Sequence, residues 1–254
     1  MNMVIIMIKN RLIDLIDINK SDIITVIGAG GKTSLINYIA NECKNNMSVL
    51  LTTTTKIYVP DKDLYNKIYM LEDKDCIKSK IKILDNGIVV IGKYINKEKK
   101  IIGLDFRDLD NITTNFDLTL IEGDGSKKKK LKGWNETEPV VYQKTTKTIG
   151  VLDITSYNMD INDENIHRLK EFSNIIKTHD KKVTLNTLES VVLNKNGLFK
   201  RAIGEKILFI NKVENNYYEN LATQLIKHIT KNNSDMIILY GSIKNEIFKE
   251  WKKI

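Results

Sequence analysis

Cysteine, histidine and proline are scarce in this 254-residue chain, and each shortage removes a class of explanation. Two cysteines, Cys43 and Cys76, are too few and too isolated for a disulfide framework or a zinc knuckle. Three dispersed histidines, His167, His179 and His228, argue against a transition-metal centre. Only two prolines occur, Pro60 and Pro139, and no Pro/Gly/Ser-rich linker or internal repeat divides the chain, so residues 1–254 are expected to form a single domain. No apolar run is long enough to span a bilayer. The apolar start, Met1–Ile8, has no basic residue before it and no small-residue cleavage site after it, which makes it a poor signal peptide. A reducing cytoplasm is the expected setting, with Cys43 as a buried thiol on an apolar helix face.

Hydrophobic residues make up 42% of the chain, enough for a real core, and the net charge is +8. The lysines behind that charge are scattered among Asp and Glu, as on solvated faces. The tract Lys127–Lys130 has no aromatics interleaved to stack on bases. Neither nucleic acid nor membrane is therefore expected as a partner.

Apolar patterning alternates between strand and helix. Strands are predicted at Ile23–Gly28, Ser48–Thr53, Asp117–Glu122, Lys147–Asp153, Lys206–Asn211 and Asp235–Tyr240. Helices are predicted at Lys9–Asp17, Lys32–Lys44 and Tyr218–Thr230, and a hairpin from Ile88–Tyr94 and Lys100–Gly103 around Asn96-Lys97-Glu98. This order predicts an α/β fold of three layers, a mostly parallel sheet with helices on both faces and a small β-hairpin insertion. Ligands of such sheets gather at the carboxyl ends of the strands.

Four strand ends carry chemistry. After the first strand comes Gly28-Ala29-Gly30-Gly31-Lys32-Thr33-Ser34, which ends like a phosphate-binding loop, although Val26 holds the place of its usual first glycine. The loop glycines permit close backbone approach, and the N–H groups of the following helix favour an anion. Lys32 would reach the phosphates and Thr33 would ligate Mg²⁺. The fold is accordingly expected to be P-loop NTPase-like; a glycine turn with a surface lysine is the plainer alternative. The short glycine-to-lysine spacing is shared with the ATP loop of amide-forming Mur ligases. After the second strand, Thr54, Thr55 and Lys56 could meet phosphate, metal or substrate. After the third, Glu122 and Asp124 could hold Mg²⁺ or orient a nucleophile. After Ile207–Ile210, Asn211-Lys212-Val213-Glu214 is similar to the Asn-Lys-x-Asp with which GTPases read guanine, with Glu214 one methylene longer.

Together these segments, with Pro60, Ser126, Lys132, Glu138-Pro139-Val140, His167-Arg168 and Gly197-Leu198, resemble the selenium cofactor biosynthesis proteins, accessory proteins of selenium-dependent molybdenum hydroxylases. Gly123 stands where that family more often has alanine, and the Lys127–Lys130 tract is heavier than usual. The resemblance implies a cytoplasmic P-loop protein acting in maturation of a selenium-containing molybdenum enzyme, with a selenium species or the apo-hydroxylase as partner. The expected activity is that of a Mg²⁺-dependent ATPase, GTPase or phosphotransferase. Lys32, Glu122 and Asp124 would be its catalytic groups. Gly28–Ser34, Asn211, Lys212 and Glu214 would bind the nucleotide, ATP or GTP. Thr33, Glu122 and Asp124 would hold the metal. Thr54, Thr55, Lys56, Ser126, Lys132, Glu138, His167 and Arg168 would line the acceptor side. A Mur-ligase-like activating enzyme and a non-catalytic, nucleotide-bound delivery chaperone are the rival readings.

Overall fold

A computed structural model describes residues 11–72, 84–176, 180–232 and 235–252. The readings made of Met1–Ile8, Cys76, His179 and the first two residues of the Lys9–Asp17 helix lie outside the described residues.

One nine-stranded sheet carries the fold. Its strands are β1 (Asp22–Gly28), β2 (Ser48–Thr53), β4 (Lys67–Met70), β5 (Gly87–Gly92), β7 (Leu118–Glu122), β9 (Lys147–Asp153), β11 (Glu205–Asn211), β12 (Ile237–Ser242) and β13 (Ile247–Glu250). Two small pairs stand apart: β3 (Lys56–Tyr58) with β6 (Lys100–Ile102), and β8 (Leu131–Lys132) with β10 (Ile166–His167). Across the main sheet the order is β13-β12-β11-β9-β1-β7-β2-β5-β4. Every neighbouring pair in it is parallel except β12 with β13. The central strand β1 thus lies between β7 and β9.

Parallel strands are covered on both faces, which is why β2, β5, β7 and β9 are buried along their whole length. Their side chains alternate between two cores. Ile24 and Val26 of β1 face one side with Ile207 and Phe209 of β11, where α1 (Leu12–Ile16) and α2 (Lys32–Cys43) pack. There α2 buries Leu35, Ile36, Ile39, Ala40 and Cys43, the face its helical spacing predicts. The opposite face divides. Leu109 and Ile112 of α3 (Phe106–Ile112) cover Leu50, Val89 and Ile121. Helices α4 (Leu169–Ile176), α5 (Leu185–Leu193) and α6 (Asn216–Asn232) cover Leu208 and Ile210.

The predicted hairpin forms with a shorter first arm: Lys93 N–H donates to Ile102 O and Ile102 N–H to Tyr94 O, both at 2.9 Å. The chain does reverse at Asn96, whose N–H donates to Lys100, and Ile95 bridges Ile101. But β5 is an interior strand parallel to both β2 and β4, and β6 pairs with β3. Gly-Ile-Val-Val-Ile-Gly is apolar on both faces, the mark of a strand between two helical layers. The predicted Asp235–Tyr240 strand also shifts, to Ile237–Ser242.

Candidate functional site

The phosphate-loop sequence occupies the carboxyl end of β1. Val26 is still in the sheet, opposite Glu122 on one side and Ile149 on the other. The loop therefore begins at Gly28. Gly28 has φ +101°, and a Cβ there would lie 2.4 Å from Val151 O. Gly30 has φ +85°, and its Cβ would lie 2.2 Å from Cβ of Asp153. Both conformations and both contacts exclude a side chain. Helix α2 follows with no side-chain N-cap, so its first N–H groups stay available to an anion.

Around this loop lies a buried ionic centre. Lys32 Nζ donates to Gly28 O at 2.8 Å and sits 3.3 Å from Asp124 and 3.7 Å from Glu122. Asp124 is fully buried, and Gly28 N–H reaches both its oxygens at 3.1 Å. Trp134 Nε1 donates to the same carboxylate at 2.7 Å, and Lys132 lies 3.2 Å away. Burial alone would raise the Asp124 pKa; Lys32, Lys132 and the two N–H donors together hold it below the usual carboxylate range. Burial likewise opposes the charge on Lys32, yet Asp124 and Glu122 raise its pKa. Glu122 differs. Burial pushes its carboxyl up despite Lys32 and a 2.8 Å bond from Thr33 Oγ1.

The centre continues outward as alternating charges. Lys132 bonds Gly125 O at 2.7 Å and Glu138 at 2.9 Å, and Glu138 in turn accepts from Arg168 Nη2 at 3.1 Å. The β8–β10 pair sets this register, with His167 opposite Lys132. Arg168 has φ +59°, and its buried Nε has no hydrogen-bond partner among the described residues. Partial burial, then the cations Lys132, Arg168 and Lys127, push the His167 pKa down to about 4. The unfolded chain takes up a proton near pH 6.5, which the folded chain refuses until about pH 4, so stability falls as the pH drops through that window. In an NMR titration the His167 Cε1–H shift is expected to stay constant from pH 7.5 to about 5.5 and to move near 4; a midpoint near the free-histidine value would contradict the cationic surroundings described.

On the other flank of the loop, Asn211 Nδ2 donates to Gly30 O at 2.9 Å. Lys212 Nζ pairs with the fully buried Asp153 at 2.5 Å.

A sequence profile of the YqeC protein family matches residues 24–170, more than half of the chain. The chain belongs to the YqeC family. An uncharacterized protein YqeC of Escherichia coli (strain K12) is 27% identical over 207 residues, covering 79% of this chain and 80% of that protein. No solved structure matches the chain.

In this YqeC-family chain the matched segment holds the loop, Glu122, Asp124, Lys132, Glu138 and Arg168, whereas Asn211 and Lys212 lie beyond it. Ala29 N–H donates to Val151 O, while Thr33 and Ser34 are exposed on the first turn of α2. Thr54 is tied in: its N–H donates to Glu122 O at 3.2 Å and its hydroxyl to Val140 O at 2.7 Å. Thr55 shares a hydroxyl contact with Thr53. Lys56 and Glu214 stand exposed outside the ionic centre, and among the described residues Ser126 lends only its carbonyl, to Lys129 N–H. Sequence reasoning missed Trp134 and Asp153. Asp153 carried a usable signal, an acid ending an apolar strand as Glu122 does. Among the described residues no group of three or more His, Cys, Asp and Glu side chains could hold a metal. Mg²⁺ makes a smaller demand, one or two carboxylates plus phosphate oxygens and waters, and Thr33 with Glu122 fits it. Among the described residues no helix is long and apolar enough to cross a membrane.

Proposed function

We propose that this YqeC-family protein binds a Mg²⁺–nucleoside triphosphate and works as a phosphohydrolase or phosphotransferase in the maturation of a selenium-dependent molybdenum hydroxylase. The family membership supports the pathway. The observation that carries the chemistry is one constellation: an uncapped helix behind a glycine loop, with Lys32, Thr33 and Glu122 converging in front of it. Loop amides and Lys32 would cradle the phosphates, Lys32 turning from Gly28 O and the acids towards them. Thr33 and Glu122 would hold Mg²⁺, which would supply positive charge against that of the phosphates. Both oxygens of Asp124 are already engaged, so its part is to fix Gly28 and the two lysines rather than to ligate metal. Arg168 would stand at the acceptor side, with the buried Lys132 positioning Glu138 behind it, and Asn211 and Lys212 would support the loop from the nucleoside side.

The short loop favours a second reading of the same site, in which a carboxylate or selenium species is activated as a phosphorylated intermediate. That enzyme would release diphosphate nucleotide only when its second substrate is present.

Calorimetric titration with Mg²⁺–ATP and Mg²⁺–GTP tests the common core. One of the two should saturate a single site, and at a hundredfold excess over Kd should stabilise the fold by about 2.7 kcal/mol. A chain that takes up neither nucleotide would overturn both readings.

A further inference from the structure

A cavity of about 620 Å³ opens beside the ends of β2 and β5, lined among others by Thr54, Val140, Ile102, Leu104, Phe106 and Arg107. Small-molecule sites usually fall at roughly 300–1,000 Å³, mostly apolar with a few polar groups. The walls are braced. Gly103 N–H donates to Thr55 O at 2.8 Å and Leu104 N–H to Thr53 O at 2.9 Å. Phe106 packs edge-on against Tyr142, ring centroids 5.6 Å apart. Lys93, also on the wall, is already taken by Asp105 at 3.0 Å and Asp108 at 3.8 Å. Arg107 is exposed; it helps lower the pKa of Asp105, another wall residue, but forms no salt bridge with it or with any other described residue.

The cavity adjoins the ionic centre through shared backbone. Thr54 lines it and donates its N–H to Glu122 O; Val140 lines it and donates its N–H to Gly123 O. A ligand seated there lies on the same strand-end edge as the Thr33–Glu122 pair.

We propose that this cavity is the second-substrate subsite, taking a small acidic molecule whose apolar, planar body lies against Phe106 and Leu104 and whose carboxylate or phosphate meets Arg107. The acceptor role rests on the nucleotide reading above; the binding site does not. Phenyl phosphate and benzoate are the probes, with benzyl alcohol as the neutral control, followed by saturation-transfer NMR on the full chain without nucleotide. One or both acids should bind saturably and displaceably, the two arms separating a phosphate from a carboxylate preference. Arg107→Glu should weaken binding about tenfold, the worth of one charge-assisted hydrogen bond, while its nucleotide titration stays that of the wild type. Lys32→Ala should leave probe binding intact. Equal binding of the alcohol, equal binding to Arg107→Glu, or no saturable binding of either acid would overturn the site. Acids that bind a chain taking up no nucleotide would sustain the site and remove its role as an acceptor pocket.

Discussion

Replacing Lys32 by alanine should abolish nucleotide binding while leaving the chain folded. Lys32 is the cation whose ammonium points into the loop, 2.8 Å from Gly28 O. Its bonds to phosphate oxygens would be charge-assisted, each worth about 1.5–3 kcal/mol, so affinity should fall at least about a hundredfold. The fold should survive because Asp124 keeps Lys132 at 3.2 Å, and because Glu122, already raised in pKa by burial, can take up a proton once Lys32 is gone. Circular dichroism separates the two effects: a native spectrum with no calorimetric binding is the expected pair of results. Unchanged affinity for the nucleotide that the wild-type chain binds would remove Lys32 from the phosphate site.

The largest stability loss should come from Asp124→Ala. This carboxylate satisfies Gly28 N–H and Trp134 Nε1–H and neutralises Lys32 and Lys132, all in the interior. Truncation leaves two N–H donors unpaired and an ammonium, that of Lys132, with Glu138 as its sole remaining acid among the described residues. Removing one partner of a buried ion pair costs about 3–5 kcal/mol. In a chain of this length that is a fall in Tm of roughly 6–20 °C. The sign with pH is also fixed. Asp124 titrates below the ordinary aspartate value of about 3.9. Its contribution is therefore present above that value and lost as the pH falls through the folded pKa. Wild type and variant should differ at neutral pH and converge in strong acid. Calorimetric unfolding of both at neutral and at acid pH checks this, and a difference in Tm within about 2 °C at neutral pH would contradict the role.

The parts of the site legible in the sequence were those fixed by local pattern. The Ile23–Gly28 run followed by Gly-Lys-Thr and an amphipathic stretch could only be strand, turn and helix, and β1 and α2 have those places. Glu122 ends an apolar strand, and the rule that ligands gather at strand ends grouped it with the loop; the direct pairing of its strand with β1 is seen in the structure alone. What escaped depends on pairing between distant segments. Strands β8 and β10 are two residues each, and neither has a pattern of its own; they exist because Leu131 meets Ile166 and Lys132 meets His167. The hairpin at Asn96 was legible but its first arm was drawn too long: Lys93 and Tyr94 do pair with Ile102, whereas the partner that claims β5 is β2, about forty residues earlier by the spacing of parallel crossovers. Trp134 sits in a lysine-rich stretch that reads as solvated; its ring is buried in the core that includes Leu131, Ile166 and Phe172, and Asp124 accepts its Nε1–H. Glu214, singled out for its place after β11, remains outside because the chain turns away at Lys212, with φ +66°, towards α6.

The position of β1 governs when the loop is completed. Residues 48–122 supply β2, β4, β5 and β7 on one side of it, and residues 147–250 supply β9, β11, β12 and β13 on the other. The loop lies on the seam, and its Asn211–Gly30 bond spans 181 positions. During synthesis the glycines leave the ribosome early, but the strand carrying Asn211 follows only after most of the chain has been made. A nascent or carboxyl-truncated chain that ends before residue 211 therefore carries the glycine loop without the amide that braces Gly30 from the far side of the sheet.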